Sequence, residues 1–342
     1  MSESSSPTPV DPASVPSARL TSGARIPAVG FGTFGSDHAT PDRVADAVVE
    51  AARLGYRHFD CAEVYGNQPE IGRALARVRG DGVARSELFV TSKLWNDHHA
   101  PADVAASCEQ SLADLGLDEL DLFLVHWPFR NHHPPGCDVG SRSPDARPFE
   151  HDRFMETWGA VERLVDAGKV RHAGTSNMTR VKLEGLLRDA RVRPAVNEME
   201  LHPHFQQPEL FAYVRSEGLV PVGFCPLGSP NRPERDRTPE DSDPLRDPVL
   251  QELAAEAGLH PATLCVRWAV QRGQVPIPFS LNPRNMAANL AAAAGPQLPA
   301  EAMERLAAID RGCRLIKGQV FLWEGAPSWH ALWDEEAPAP PV

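Results

Sequence analysis

The sequence lacks any surplus of positive charge: 34 Lys and Arg stand against 46 Asp and Glu, a formal charge of −12. That balance disfavours a protein that grips a phosphate backbone. It also lacks an apolar stretch approaching the roughly 20 residues a membrane span needs, because charges interrupt every window first. Neither nucleic acid nor a bilayer is an expected partner. No CxxC pair occurs among the six cysteines, Cys61, Cys108, Cys137, Cys225, Cys265 and Cys313. Their scatter fits reduced thiols better than a disulfide frame or a zinc site, so no metal is expected. The first residues have no basic start and no apolar core of a signal peptide; residues 1–17, rich in Ser and Pro, read as a disordered tail of a cytoplasmic protein. No short repeat of the solenoid or propeller kind is present.

What is present is a regular alternation. With 342 residues and 42% hydrophobic content, the chain suffices for one large α/β barrel or two medium domains. A hairpin is expected around Arg19–Pro27. Thr40 then reads as an N-cap with Pro41 at the first helical position; Val44, Ala47, Val48, Ala51 and Leu54 follow at helical spacing, and Gly55 stops the run. RHFD follows as a strand. Pro101 opens a helix with Val104, Cys108, Leu112 and Leu115, and LDLFLVH reads as a strand buried on both faces. Phe154, Trp158, Val161 and Val165 form another stripe before VRHAGTS. Further strands are expected near 29–32, 193–199, 220–224 and 275–278, with helices near 179–190, 207–217, 246–257 and 261–272. Eight strands alternating with helices predict a (β/α)8 TIM barrel over residues 18–310, every strand ending on one face. Two long loops, Phe129–Asp152 and Gly228–Asp247, read as rims of a pocket. Residues 311–342, bearing Trp323, Trp329 and Trp333, are an irregular tail, either lining the substrate pocket as a third rim or packed under the barrel.

Asp60, Lys93 and His126 end three consecutive expected strands at a constant interval of 33 residues. Tyr65 lies in the turn just after Asp60. Singly, each has an ordinary structural reading as a cap, a core hydrogen-bonder or a loop residue. Jointly they converge on the mouth where barrel enzymes keep their chemistry.

GYRHFDCAEVYGN, followed by Glu70, Ile71 and Gly72, then TSKLW, LFLVHWP, GTSN and a distal IPxS run, resembles the aldo-keto reductases from about Leu20 to Asp310. The resemblance implies hydride transfer between a nicotinamide and a carbonyl, without metal, and places a catalytic tetrad on Asp60, Tyr65, Lys93 and His126. The types suit the task. Hydride delivery to a carbonyl leaves charge on oxygen, and an acid must supply a proton there. Tyr65 is the candidate acid; a phenol ordinarily titrates near ~10, and a neighbouring Lys93 ammonium would lower that value. Asp60 keeps Lys93 charged, and His126 orients the carbonyl oxygen. Phe34, Trp95, Trp127 and Trp323 are expected to line a substrate pocket for a small aldehyde, ketone, open-chain sugar or polyol, in a monomer or homodimer. Two competing readings are a cofactor-binding sensor of the same superfamily and a barrel enzyme using Lys93 as a Schiff base.

At the cofactor end the resemblance assigns NADP(H) or NAD(H) to Gly32, Thr33, Asp60, Ser176, Asn177, Glu198, Phe224, Leu227, Ser229, Phe279, Ser280, Asn282, Arg284, Asn285 and Asn289. Four positions depart from the family pattern. Phe224 replaces a stacking tyrosine, which keeps the π face. Glu198 replaces a Gln; ionised, it only accepts hydrogen bonds and its charge favours the oxidised nicotinamide, unless it is protonated or turned away. Phe279 and Asn285 stand where NADPH-using relatives place Lys and Arg. Losing two charged hydrogen bonds at about 1.5–3 kcal/mol each removes roughly two to four decades of affinity for a 2′-phosphate, so NADH is an expected cofactor. Arg284, one position early, is the candidate compensation.

Overall fold

The structure, a computed structural model, describes residues 7–35, 38–130, 146–230, 232 and 237–335. A short antiparallel hairpin, β1 (Ser17–Arg19) and β2 (Arg25–Pro27), precedes eight parallel strands: β3 (Phe31–Gly32), β4 (His58–Asp60), β5 (Phe89–Leu94), β6 (Leu120–Val125), β7 (Val170–Ser176), β8 (Val196–Glu200), β9 (Val220–Phe224) and β10 (Val275–Pro276). Each pairs with the next in chain order. The ring closes through Gly30 N–H to Pro276 O at 3.0 Å and Gly32 N–H to Pro278 O at 3.2 Å. The expected (β/α)8 barrel is therefore the observed fold.

The helices are α1 (Pro41–Leu54), α2 (Gln68–Gly80), α3 (Pro101–Leu115), α4 (His151–Asp166), α5 (Arg180–Asp189), α6 (Pro208–Ser216), α7 (Pro248–Glu256), α8 (Pro261–Gln271), α9 (Pro283–Ala294) and α10 (Ala300–Ala307). Seven of them carry proline in the first two positions, where no intrahelical N–H is needed. The proline-rich composition thus starts helices instead of breaking them. Thr40 caps α1 through Arg43 N–H, and Gly55 ends it with φ +113°. A side chain at Gly55 would also meet Val10 O at 2.2 Å. Val10 N–H donates to Leu54 O, so ordered structure begins within the segment expected to be disordered.

Strand alternation sorts the side chains. Phe123 and Val125 of β6 face outward into the helix-packed core with Trp158, Val161 and Leu112. Leu122 and Leu124 face inward, clustering with Val196, Val222, Val275 and the hairpin's Leu20 and Ile26. The same two-residue period turns Lys93 inward, since it pairs with Leu124 in the parallel register. Among the described residues, no helix is long and apolar enough to cross a membrane. The cysteines described, Cys61, Cys108, Cys225, Cys265 and Cys313, are free thiols. Most of the expected loop Phe129–Asp152, Cys137 included, lies outside the described residues.

Candidate active site

Strand register carries Asp60, Lys93, Ser176 and Glu198 to the C-terminal mouth of the barrel. Asp60 pairs with Thr91 and Gly32, and Ser176 with Glu198. Lys93 is fully buried, and its Nζ donates to Asp60 Oδ1, to Cys61 O at 3.2 Å and to the Tyr65 hydroxyl at 3.5 Å. A Glu198 carboxyl oxygen stands 3.4 Å from the same nitrogen. Tyr65, in a short turn (Glu63–Tyr65) ended by Gly66, lies edge-on to His126 with ring centroids 5.9 Å apart. The tetrad residues meet at one point.

Burial governs their protonation. It opposes charge on Lys93, but Asp60, Glu198 and Tyr65 together hold the ammonium well above the ordinary lysine value. Burial, the neighbouring Lys93 and His99 keep His126 neutral, well below the usual imidazole range. Tyr65 departs from expectation. Burial pushes its hydroxyl above the ordinary phenol value, and the lowering by Lys93 is the smaller effect. At Glu198 burial first, then the Asp60 charge, holds the carboxyl well above the usual carboxylate range despite Lys93, the direction of the protonated alternative. A retained proton makes Glu198 a donor as well as an acceptor, like the amide it replaces, and removes the charge bias expected of an ionised side chain. It also gives a donor to Asp60 Oδ2 or Glu198 Oε2, buried oxygens otherwise without a hydrogen-bond partner.

Above these groups opens a cavity of about 710 Å³. Asp60, Tyr65 and His126 line it together with Phe34, Trp95 and Trp127, and so do Gly32, Thr33, Asn177, Glu198, Phe224, Leu227, Ser229, Phe279, Ser280, Asn282 and Asn285. Phe34 is 46% exposed and packs on Tyr65 at 5.0 Å. Besides the fully buried Lys93, four expected site residues do not line it. Ser176 is buried beneath, its hydroxyl accepting from Asn177 Nδ2. The Arg284 side chain is exposed, while its backbone N–H is capped by Asn282 Oδ1. Asn289 is buried along α9, beside core residues Met286 and Leu290. Trp323 stands at the edge of the aromatic cluster, and Phe321 takes the wall, its ring 4.6 Å from Trp127 and 5.8 Å from Trp95.

Phe321 belongs to the C-terminal segment, of which Ile316 and Gly318–Phe321 reach the cavity. Glu200 anchors that segment by accepting Leu315 N–H at 2.7 Å and Ile316 N–H at 2.9 Å. Arg314 lies 3.5 Å from the Trp333 ring and 4.5 Å from that of Phe205. Lys317 donates to Asp241 at 2.9 Å, and Arg232 pairs with the same carboxylate, joining the segment to the loop after β9. Sequence reasoning also missed Cys225 and His260 on the cavity wall. His260, the residue before Pro261, caps α8 at the strand-end face, a signal legible once β9 is placed.

The cavity fits a nicotinamide nucleotide by its unspent hydrogen-bonding capacity. Asn177 adopts φ +59°, anchors through Nδ2 to His126 O at 2.9 Å, and leaves Oδ1 buried without a partner at the cavity wall. An acceptor so placed, beside a Glu198 that donates and accepts, matches an amide. No cation lines the far end near Phe279 and Asn285 among the described residues, apart from Arg232, which is paired with Asp241.

Residues 28–311 match the model of the Aldo/keto reductase family. Aldo/keto reductase slr0942 of Synechocystis is 42% identical over 318 residues, covering 92% of this chain and 95% of the relative. Aldo-keto reductase family 1 member A1 of Homo sapiens is 40% identical over 304 residues, covering 87% and 90%. The crystal structure of a Bombyx mori aldo-keto reductase in complex with NADP superposes with a TM-score of 0.79 at 30% identity, over 90% of this chain and 95% of that one.

Proposed function

The chain belongs to the aldo/keto reductase family, whose members are NAD(P)-dependent oxidoreductases, and from that premise we propose that it reduces the carbonyl of a small aldehyde, ketone or open-chain sugar to an alcohol, or runs the reverse oxidation. The observation that carries this reading is the Lys93 ammonium, buried against Asp60 and 3.5 Å from a Tyr65 hydroxyl that faces a cavity beside His126. The bound nicotinamide supplies the hydride. Tyr65 gives its O–H proton to the carbonyl oxygen, and the phenolate left behind is stabilised by Lys93. His126, held neutral, donates a hydrogen bond that orients the same oxygen. Asn177 and Glu198 would hold the carboxamide, Phe224 would offer a ring face to the nicotinamide, and Leu227 and Ser229 would lie along the pyrophosphate.

The aromatic wall of Phe34, Trp95, Trp127 and Phe321 favours substrates with an apolar body beyond the carbonyl. Phe279 and Asn285 support use of NADH, with NADPH bound less selectively than in relatives that keep both cations. The free thiols support a cytoplasmic setting, as monomer or homodimer. A Schiff-base role for Lys93 is disfavoured, since that chemistry needs an uncharged amine and every charged neighbour here stabilises the ammonium. The test is loss of reduced-nicotinamide absorbance with a panel of aldehydes, ketones, open-chain sugars and uronates, and its gain with polyols, each run with both cofactors. Absence of turnover across the panel would leave the sensor reading in its place.

A further inference from the structure

Four acceptors compete for the three protons of one ammonium. Lys93 Nζ faces Asp60 Oδ1, Cys61 O at 3.2 Å, Glu198 Oε1 at 3.4 Å and the Tyr65 oxygen at 3.5 Å. Three of them come from the β4 strand end and the turn beyond it, and of these Asp60 and Tyr65 are what the resemblance implies. The fourth comes from across the barrel, on β8, where a Gln would carry no titratable proton.

We infer that Glu198 is a positioning residue for proton transfer: by sharing the Lys93 ammonium with Tyr65 it sets how readily the Tyr65 hydroxyl gives up its proton. The inference rests on the reductase reading above but concerns a residue outside the tetrad. The geometry supplies the reason. An ionised Glu198 draws a Lys93 N–H away from Tyr65 and sets a second negative charge beside the nascent phenolate, which makes phenolate harder to form. A neutral Glu198 releases that N–H and removes the repulsion.

The other ionisable groups facing these atoms do not exchange charge in the working range. Burial lowers His58 to about 4 and raises the Cys61 thiol to about 12. His126 is neutral from burial, Lys93 and His99. On β7 Ser176 is the register partner of Glu198, Asn177 N–H just beyond that strand donates to Glu198 O, and on β9 the register partner is Val222. The proton inventory thus belongs to Asp60, Lys93, Tyr65 and Glu198. Two carboxyls on one ammonium leave a surplus negative charge unless one retains a proton, which is the direction burial drives Glu198.

The test compares wild type with Glu198→Gln in two measurements. The first is the ultraviolet tyrosinate titration of cofactor-free protein, with the Tyr65→Phe form of each protein subtracted so that Tyr56 and Tyr213 cancel. Tyr65 titrates in the alkaline range, where a wild-type Glu198 carboxyl that has given up its proton would oppose the phenolate, so the Gln variant should show a lower Tyr65 midpoint, on the order of one pH unit. The second is the pH profile of kcat/KM for carbonyl reduction, whose alkaline limb should move down with it. Glu198→Asp, which withdraws the carboxyl by one methylene, should shift both in the same direction by less, and it carries the test if Glu198→Gln fails to fold. A Gln variant with both midpoints unchanged, whatever its rate, overturns the inference. Absence of wild-type turnover would overturn the reductase reading instead, and the tyrosinate titration would still decide the role of Glu198.

Discussion

The Lys93 ammonium stands 3.5 Å from the Tyr65 hydroxyl and 5.3 Å from its ring centroid, at the floor of a cavity lined mainly by aromatic and small residues. The two residues lie 28 positions apart, and the parallel pairing of β4 with β5 is what brings them together. Their separation suits a proton donor whose conjugate base needs a cation at once, and the first expected outcomes concern these two side chains.

Tyr65→Phe removes the proton and little else. Carbonyl reduction should fall by roughly 10²- to 10⁴-fold. Cofactor affinity, measured by fluorescence quenching, should stay close to wild type. Near-normal turnover in this variant would show that another group supplies the proton.

Lys93→Met leaves Asp60 and Glu198 facing each other in a dry site without their cation. Removing one partner of a buried ion pair costs about 3–5 kcal/mol, and urea denaturation should register a loss of that order. Adding Asp60→Asn should restore part of it, because the uncompensated charge is then gone. A single variant as stable as wild type would mean that the pair contributes no net attraction.

The buried histidines make stability fall in mild acid. Burial holds His58 at about 4 and His99 at about 3, below the ordinary imidazole value of 6.5. Between those limits the unfolded chain binds protons that the folded chain refuses, so stability is complete above about 6.5 and declines toward 4, at up to about 1.4 kcal/mol per pH unit for each histidine. Glu198 acts with the opposite slope. Its raised value lets the folded state hold a proton that the unfolded chain releases near 4.5, so its contribution shrinks as pH rises above that point. Urea midpoints across the acid range should show the histidine decline, and His58→Asn should make it shallower.

Phe279→Lys restores a cation at the cavity end that lacks a free one. NADPH affinity should rise by about ten- to a hundredfold, from about 1.5–3 kcal/mol for a charged hydrogen bond, with NADH little changed. Paired dissociation constants decide it. Equal gains for both cofactors would place the lysine away from the 2′-phosphate.

Glu200→Gln weakens the clasp on Leu315 and Ile316 and the contact with His202 at 3.0 Å. Hydrogen exchange over residues 315–321 should quicken, and KM for bulky carbonyls should rise because Phe321 is less firmly held. Cofactor dissociation constants should not move. An unchanged exchange rate would show that Arg314 and Lys317 hold the segment unaided.

The sequence by itself determined the barrel and the grouping of Asp60, Tyr65, Lys93 and His126. Both are written in local signals: proline-led helices, buried strands of period two, and ionisable residues at the ends of consecutive strands 33 positions apart. Each strand end must point to the same mouth once the crossovers share one hand, so Asp60, Lys93 and His126 needed no distance to be grouped. What only the tertiary structure decided lies between elements far apart in the chain. Phe321 replaced Trp323 in the wall because a short turn, held by Glu200 through its link to the segment, aims one ring inward and leaves the other at the rim. Ser176, Arg284 and Asn289 left the lining because a register and a helix face set direction, which residue type does not. The raised proton affinity of Glu198 follows from burial beside Asp60 and Lys93, on three strands brought within reach of one another. Protonation is a property of that enclosure, and no pattern along the chain encodes it.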